Sequence, residues 1–157
     1  MMQWQRIEKR EFGFALTLPT SWEERPVNLK NSPWEAARFV EPDDRRHDVI
    51  VFRQPLPPTY TTSGQVAEAT QASIEAEGQE DFQLTDGIDI AGRTGTLLKS
   101  VTRDAGRVRA VSLYFLVVDN VYLCLGCATS APDEDQPLLA AIADHFELIA
   151  VEPPPAS

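Results

Sequence analysis

The stretch that decides the fold is FQLTDGIDIAGRTGTLLKSVTRDAGRVRAVSLYFLVVDNVYLCLGCAT, residues 82–129. Four runs rich in β-branched and aromatic residues, FQLTDGIDI, RTGTLLKSVT, RVRAVSLYFLVV and VYLCLGCAT, are separated only by AG, DAG and DN. Connections this short leave no room for a crossover, so each run must fold back antiparallel on the one before it. The segment therefore predicts a four-strand meander. Taking Asp119 and Asn120 as a two-residue hairpin loop sets the register: Val118 opposite Val121, Phe115 opposite Cys124 and Ser112 opposite Cys127.

Working outward, WEAARFV and HDVIVFR flank EPDDRR, whose Pro42-Asp43-Asp44 suits a tight turn, and predict a hairpin. FGFALTLP alternates Phe12, Phe14, Leu16 and Leu18 with small residues and is closed by Pro19, a seventh strand. TSGQVAEATQASIEAEG opens with Thr62 and Gln65 in capping-box spacing and stops at Gly78. It predicts a helix whose thin apolar stripe is Val66, Thr70, Ser73 and Ile74. DEDQPLLAAIADHF places Leu138, Leu139, Ile142 and Phe146 on one face of a second helix, with Pro137 assigned to its first turn. TSWEERPVNLKNSP, residues 20–33, reads as a polar loop.

The predicted fold is α+β: one domain over residues 1–150, an antiparallel meander sheet of about seven strands with two flanking helices, and a disordered tail over 151–157. The predicted core is Phe12, Phe14, Leu16, Leu18, Phe39, Ile50, Phe52, Val66, Leu113, Phe115, Leu123, Leu125, Leu138, Ile142 and Phe146.

The 157 residues carry 24 acidic against 14 basic side chains, a formal charge of -10. Phosphate backbones and anionic lipid repel such a surface on average, which disfavours nucleic acid and membrane as partners and favours basic ones. The N-terminal MMQWQRIEKREFGF lacks the apolar core of an export signal, and AVSLYFLVV is far short of a membrane span. A cytoplasmic protein without membrane insertion is expected.

Cys124 and Cys127 form the one motif with the look of chemistry, C-x-x-C. On a strand, residues at this spacing point to opposite faces with Cα atoms about 10 Å apart, whereas a disulfide needs them within about 7 Å. A redox pair of this spacing belongs at a helix start, and zinc needs further ligands, for which only His47 and His145 are at hand. The pair reads as two buried small hydrophobes. Asp43, Asp44, His47 and Asp48 offer cation ligands in the hairpin turn, where the neighbouring arginines oppose a metal and a solvated turn is the simpler reading. His145 reads as a helix-terminal residue interacting with the dipole. No nucleophile elbow, Walker loop, dinucleotide fingerprint or zincin motif is present, so no catalytic, cofactor-binding or metal residue is assigned and no cofactor is expected.

The apolar opening strand with Pro19 and Trp22, Gly92 before RTGTLLKS, and Phe146 closing the last helix give the chain, over residues 12–149, an order that resembles the PsbP-like superfamily. Within it the DcrB-like branch, which includes the effector-associated Eag chaperones of type VI secretion, is the most similar. The resemblance implies an accessory or interaction protein with no shared catalytic residues. Its exported lipoprotein members carry a lipobox cysteine that has no counterpart in MMQWQRIEKREFGF, which points to the Eag-like side.

Three functions stay open from the residues: a non-enzymatic chaperone-like module binding another protein, a secreted effector in the Eag case; a small-ligand binder with a pocket between sheet and helix; and a thiol-dependent enzyme or redox sensor using Cys124 or Cys127. For the first, an apolar contact ringed by acidic groups is expected, with a homodimer through a sheet edge or face as companion.

Overall fold

The computed structural model describes residues 2–42 and 47–151. The meander is β6 (Glu80–Ile90), β7 (Arg93–Asp104), β8 (Arg107–Val118) and β9 (Val121–Thr129). Two of its turns, Ala91-Gly92 and Ala105-Gly106, hold both residues at positive φ (52° and 80°; 50° and 79°), the left-handed pair that a tight hairpin with right-twisted strands requires. Glycine meets that demand without steric cost, and each alanine takes the left-handed conformation because only a mirror-image turn matches the twist of the paired strands.

The hairpin β4 (Glu35–Val40) and β5 (His47–Pro55) adds to β9, and the short β3 (Glu23–Arg25) adds to β4. The result is a seven-stranded antiparallel sheet in the order β3-β4-β5-β9-β8-β7-β6. β9 is central, and every residue from Leu123 to Thr129 is buried, as expected of a strand covered on both faces.

Both edges of this sheet are blunted. β3 has only three residues. β6 is long, but register shifts between Glu80 and Gln83 and between Asp86 and Ile88 break its outline. Such edges resist pairing with another strand.

The expected strand over 12–19 forms as β2 (Phe14–Pro19), but in a different sheet. It lies between β1 (Trp4–Lys9) and the two-residue β10 (Glu147–Leu148) in a separate three-stranded sheet. The seventh strand of the main sheet is β3, inside the segment read as polar loop. Neither β1 nor β3 announces itself: β1 half-buries one apolar residue, Ile7, and β3 reads EER. Phe12 stands in the turn before β2, partly buried against the core.

The helices cover opposite faces. α1 (Ser63–Ala76) has the predicted capping box at Thr62 and Gln65, and buries Val66 and Ala67 on β6–β8. Ala67 is buried beside Val66, whereas Ser73, expected in the stripe, is exposed. α2 (Pro132–Asp144) starts one residue before the predicted segment, with Pro132 at its N-terminus and Asp133, Glu134 and Asp135 in its first turn, where the helix dipole favours acids. Pro137 therefore lies inside the helix, not in its first turn, because Pro132 takes the favoured starting position.

Two cores result. The larger packs Phe14, Leu16, Leu18, Trp22, Val49, Val51, Leu123, Leu125, Ile142 and Phe146 between the main sheet, the small sheet and α2. The smaller packs Val66, Ala67, Leu98, Phe115 and Cys124 under α1. Ile50, Phe52, Leu113 and Leu138, predicted as core, are only partly buried. β5 turns Val49 and Val51 into the main core, so Ile50 and Phe52 fall on the other face, and Phe52 and Leu113 pack beside the smaller cluster. The C-terminal tail beyond Val151 lies outside the described residues.

Candidate functional site

The register predicted for the cysteine strand is the one observed: Val118 opposite Val121, Phe115 opposite Cys124, Ser112 opposite Cys127. Cys127 belongs to the larger core and Cys124 to the smaller, so the sheet separates them. Both are free and buried. Burial, reinforced by nearby Asp48, pushes the Cys127 thiol up to about 12, and burial raises Cys124 further. A thiol held protonated is neither nucleophile nor metal ligand. Native protein should therefore give no fast reaction with a thiol reagent such as Ellman's, and two equivalents per chain once unfolded in guanidinium. One fast equivalent in the native state would reopen thiol chemistry.

His47 and His145 lie apart. His145 is exposed as the C-cap of α2, and its Nδ1 is 2.8 Å from the Ala141 carbonyl, a helix-terminal role as expected. His47 heads the strand expected from HDVIVFR, but it is buried where a solvated position was expected. It is the first residue of β5 and is 6% exposed. Opposite it across the sheet is Thr129, and Trp22 packs on its ring at 4.7 Å between centroids. The Asp135 carboxylate is 3.6 Å from His47 Nδ1, but accepts its hydrogen bond from the Thr129 hydroxyl at 2.5 Å. That hydroxyl in turn accepts from the Ala131 N–H at 2.9 Å. The group joins β5, β9 and the start of α2 at one buried point, the geometry of a structural pin. Asp48 is pulled the other way, held by Arg109 at 2.7 Å. Asp43 and Asp44 lie outside the described residues. Among the described residues no three His, Cys, Asp or Glu side chains come together as a metal site.

The best-built surface feature is the loop between β3 and β4, residues 26–34, which sequence reasoning passed over as polar. The Glu35 carboxylate, with its side chain fully covered, organises it. It accepts from the Asn28 N–H at 2.6 Å, the Asn31 amide at 3.3 Å, and Arg38 at 2.7 and 3.1 Å. Burial alone would raise this carboxyl, but the Arg38 guanidinium and the two asparagines outweigh it and hold it below its ordinary value. Asn28 Oδ1 also accepts from the N–H groups of Lys30 and Asn31, closing the turn.

This ordered loop turns its apolar residues outward. Leu29 is 59% exposed, Trp34 42% and Val27 38%: three of the seven large hydrophobics exposed among the described residues. They border a shallow groove with Pro26, Pro33 and Val121. Its rim is mixed rather than acidic, since Lys9, Arg25 and Arg53 alternate with Glu11 and Glu24, and Lys9 is ion-paired to Glu24. The chain's negative charge is spread elsewhere. The available signal in the sequence was local: two prolines bracketing Val27 and Leu29, with Asn28 and Asn31 spaced for a side-chain turn.

No protein-family model matches the sequence, and no curated protein matches it either. Solved structures do. The cyanobacterial PsbP (CyanoP) from Synechocystis superposes with a TM-score of 0.71 at 16% identity, covering 94% of each chain. The fold is PsbP-like. The same PsbP-like arrangement is found in the Ran-binding protein Mog1p of Saccharomyces cerevisiae, with a TM-score of 0.64 at 10% identity over 96% of this chain and 97% of that one. LpqN, involved in cell envelope biogenesis of Mycobacterium tuberculosis, gives 0.58 at 16% identity over 94% and 91%. At such identities the likeness speaks for the fold alone. Within the PsbP-like fold, Pro19 ends β2, Trp22 is buried, Gly92 takes φ 80° at the turn into β7, and Phe146 closes the main core.

Among the described residues no helix is long and apolar enough to cross a membrane.

Proposed function

We propose that this chain is a non-enzymatic accessory protein, chaperone-like and working in a bacterial cytosol, that binds another protein through the loop of residues 26–34. The observation that carries the reading is the Glu35 hub: a buried carboxylate holds the loop in one conformation while Val27, Leu29 and Trp34 face solvent. Exposing three apolar side chains is unfavourable unless something covers them, and ordering them in advance lowers the entropy lost when a partner binds. Tryptophan is also among the residues that contribute most at protein interfaces. That Mog1p, of the same fold, is a Ran-binding protein is in keeping with this use of the scaffold. The DcrB-like resemblance names a partner class, a secreted effector with an apolar segment.

The test is affinity capture from the native host with wild-type protein beside the double variant Leu29→Ser, Trp34→Ala. Both positions are exposed, so the variant should fold. A partner retained by wild type in high salt, which screens charges beyond about 8 Å, should be lost by at least about 30-fold in the variant, as expected when an interface anchor is removed. Equal capture by the two proteins, or turnover of a substrate by either, overturns the reading.

A further inference from the structure

A second feature, sharing no lining residue with the loop groove, lies in the angle between α2 and the main sheet. α2 packs over β9 and β8 and stops short of β7 and β6, so the same face of the outer strands stays open beside the helix. The register sets a row of facing residues across this floor: Gln83 opposite Lys99, Lys99 opposite Ser112, Ser112 opposite Cys127. Tyr114 flanks the row on β8, and Val101 and Ala110 flank it on the other side. Leu139 and Gln136 of α2 make the wall. The cleft holds about 390 Å³, within the span of small-molecule sites.

Its chemistry is uneven in an informative way. Lys99 is half-buried, yet has neither a hydrogen bond nor an ion pair among the described residues. The acidic residue that lines the same cleft, Asp81, is taken by Arg103 at 2.7 Å. The Tyr114 phenol is pushed up to about 12 by burial, aided by Cys127 and Asp144, so it stays a hydrogen-bond donor. Gln83, Ser112 and Gln136 add polar groups with no side-chain partner among the described residues. Leu139, Val101 and Ala110 supply apolar contact. One partly desolvated cation without a counter-ion, neutral donors around it and an apolar wall form a receptor for a single negative charge on an apolar body. A dianionic phosphate is the poorer fit, because one lysine cannot balance two charges in a chain of net charge -10.

We propose that this cleft binds a small amphiphilic carboxylate, with the carboxylate on Lys99 and Ser112 and the apolar body against Leu139 and Val101. This does not rest on the protein-binding reading above: loss of one leaves the other standing.

The test is a titration of the isotope-labelled full chain with 2-naphthoate and with its neutral analogue 2-naphthamide, followed by amide NMR shifts. Naphthoate should move the amides of Lys99, Ser112 and Gln136–Ala140 saturably, and bind about tenfold more tightly than the amide, the difference a charge-assisted contact makes. Lys99→Met should bring naphthoate down to the affinity of naphthamide and leave naphthamide unchanged. Ala140→Trp, at an exposed rim position that spares the core, should weaken both. Equal affinity of acid and amide, no change in Lys99→Met, shifts centred on residues 26–34, or no binding by about 5 mM, where affinity is negligible, would each overturn the proposal.

Discussion

Phe14→Ala is expected to cost about 3–5 kcal/mol, a large share of the 5–15 kcal/mol that holds a domain of this kind together. Phe14 is fully buried and stacks between Phe12 at 6.4 Å and Phe146 at 5.7 Å. Through these two rings and the pairing of Phe14 with Leu148, one side chain ties β2 to the end of α2 and to β10. Truncating it opens a cavity where the small sheet, the helix and the main sheet meet. Urea denaturation followed by tryptophan fluorescence and circular dichroism should show a single transition at a lower midpoint. Phe14→Leu, which keeps most of the volume, should cost less than half as much. If Phe14→Ala costs under about 1 kcal/mol, the value of a surface change, the small sheet is not coupled to the rest of the fold.

Legibility differed from element to element, for physical reasons. The meander was readable because Ala91-Gly92, Ala105-Gly106 and Asp119-Asn120 permit one pairing each, and a register fixed at a two-residue loop propagates to Phe115–Cys124 without further information. α1 was readable from its cap. The small sheet was not, because β1 and β10 owe their structure to β2 rather than to any pattern of their own; Glu147 and Leu148 pair with Ala15 and Phe14 from the far end of the chain. The face of β5 was ambiguous for a related reason: HDVIVF is apolar at consecutive positions, and only the placement of the two helices decides that Val49 and Val51 enter the larger core. The burial of His47 was not legible because its neighbours Trp22, Thr129 and Asp135 come from three other parts of the fold.

The candidate sites follow the same division. The dismissal of Cys124 and Cys127 needed only strand geometry, which is local. The cleft beside α2 was legible only as a generic pocket between sheet and helix, because its lining depends on the helix's position over β8 and β9. Loop 26–34 is the instructive miss: its average polarity hid three outward apolar residues, although the asparagines, prolines and Glu35 that hold them are all within ten positions of one another. Composition averages over a loop lose the distinction between which residues build it and which it displays.

That distinction makes Glu35 the second position of large effect. Removing its side chain in Glu35→Ala leaves Arg38, whose own side chain is only 24% exposed, without its bidentate partner, and the Asn28 N–H and Asn31 amide without an acceptor. A loss of about 3 kcal/mol is expected, at the lower end for breaking a buried pair because Arg38 keeps some contact with water. Glu35→Gln, which retains an acceptor oxygen but not the charge, should lose less. The pH dependence separates the charge from the shape. The folded carboxyl lies below its ordinary value of 4.5, so its ionised form is favoured by folding: the contribution is complete above that value and is lost as pH falls through the lower, folded one. The stability gap between wild type and Glu35→Gln should accordingly be widest near neutrality and close as the solution is acidified below 4.5. Hydrogen exchange at the Asn28 amide supplies the local readout, since its N–H donates to the Glu35 carboxylate at 2.6 Å. In Glu35→Ala that amide should exchange faster while the amides of β9 change only with global stability. A gap that stays constant with pH would mean that the carboxylate acts by shape alone, and an Asn28 amide as protected as before would mean that the loop holds itself without Glu35, so the outward pose of Leu29 and Trp34 would owe nothing to that carboxylate.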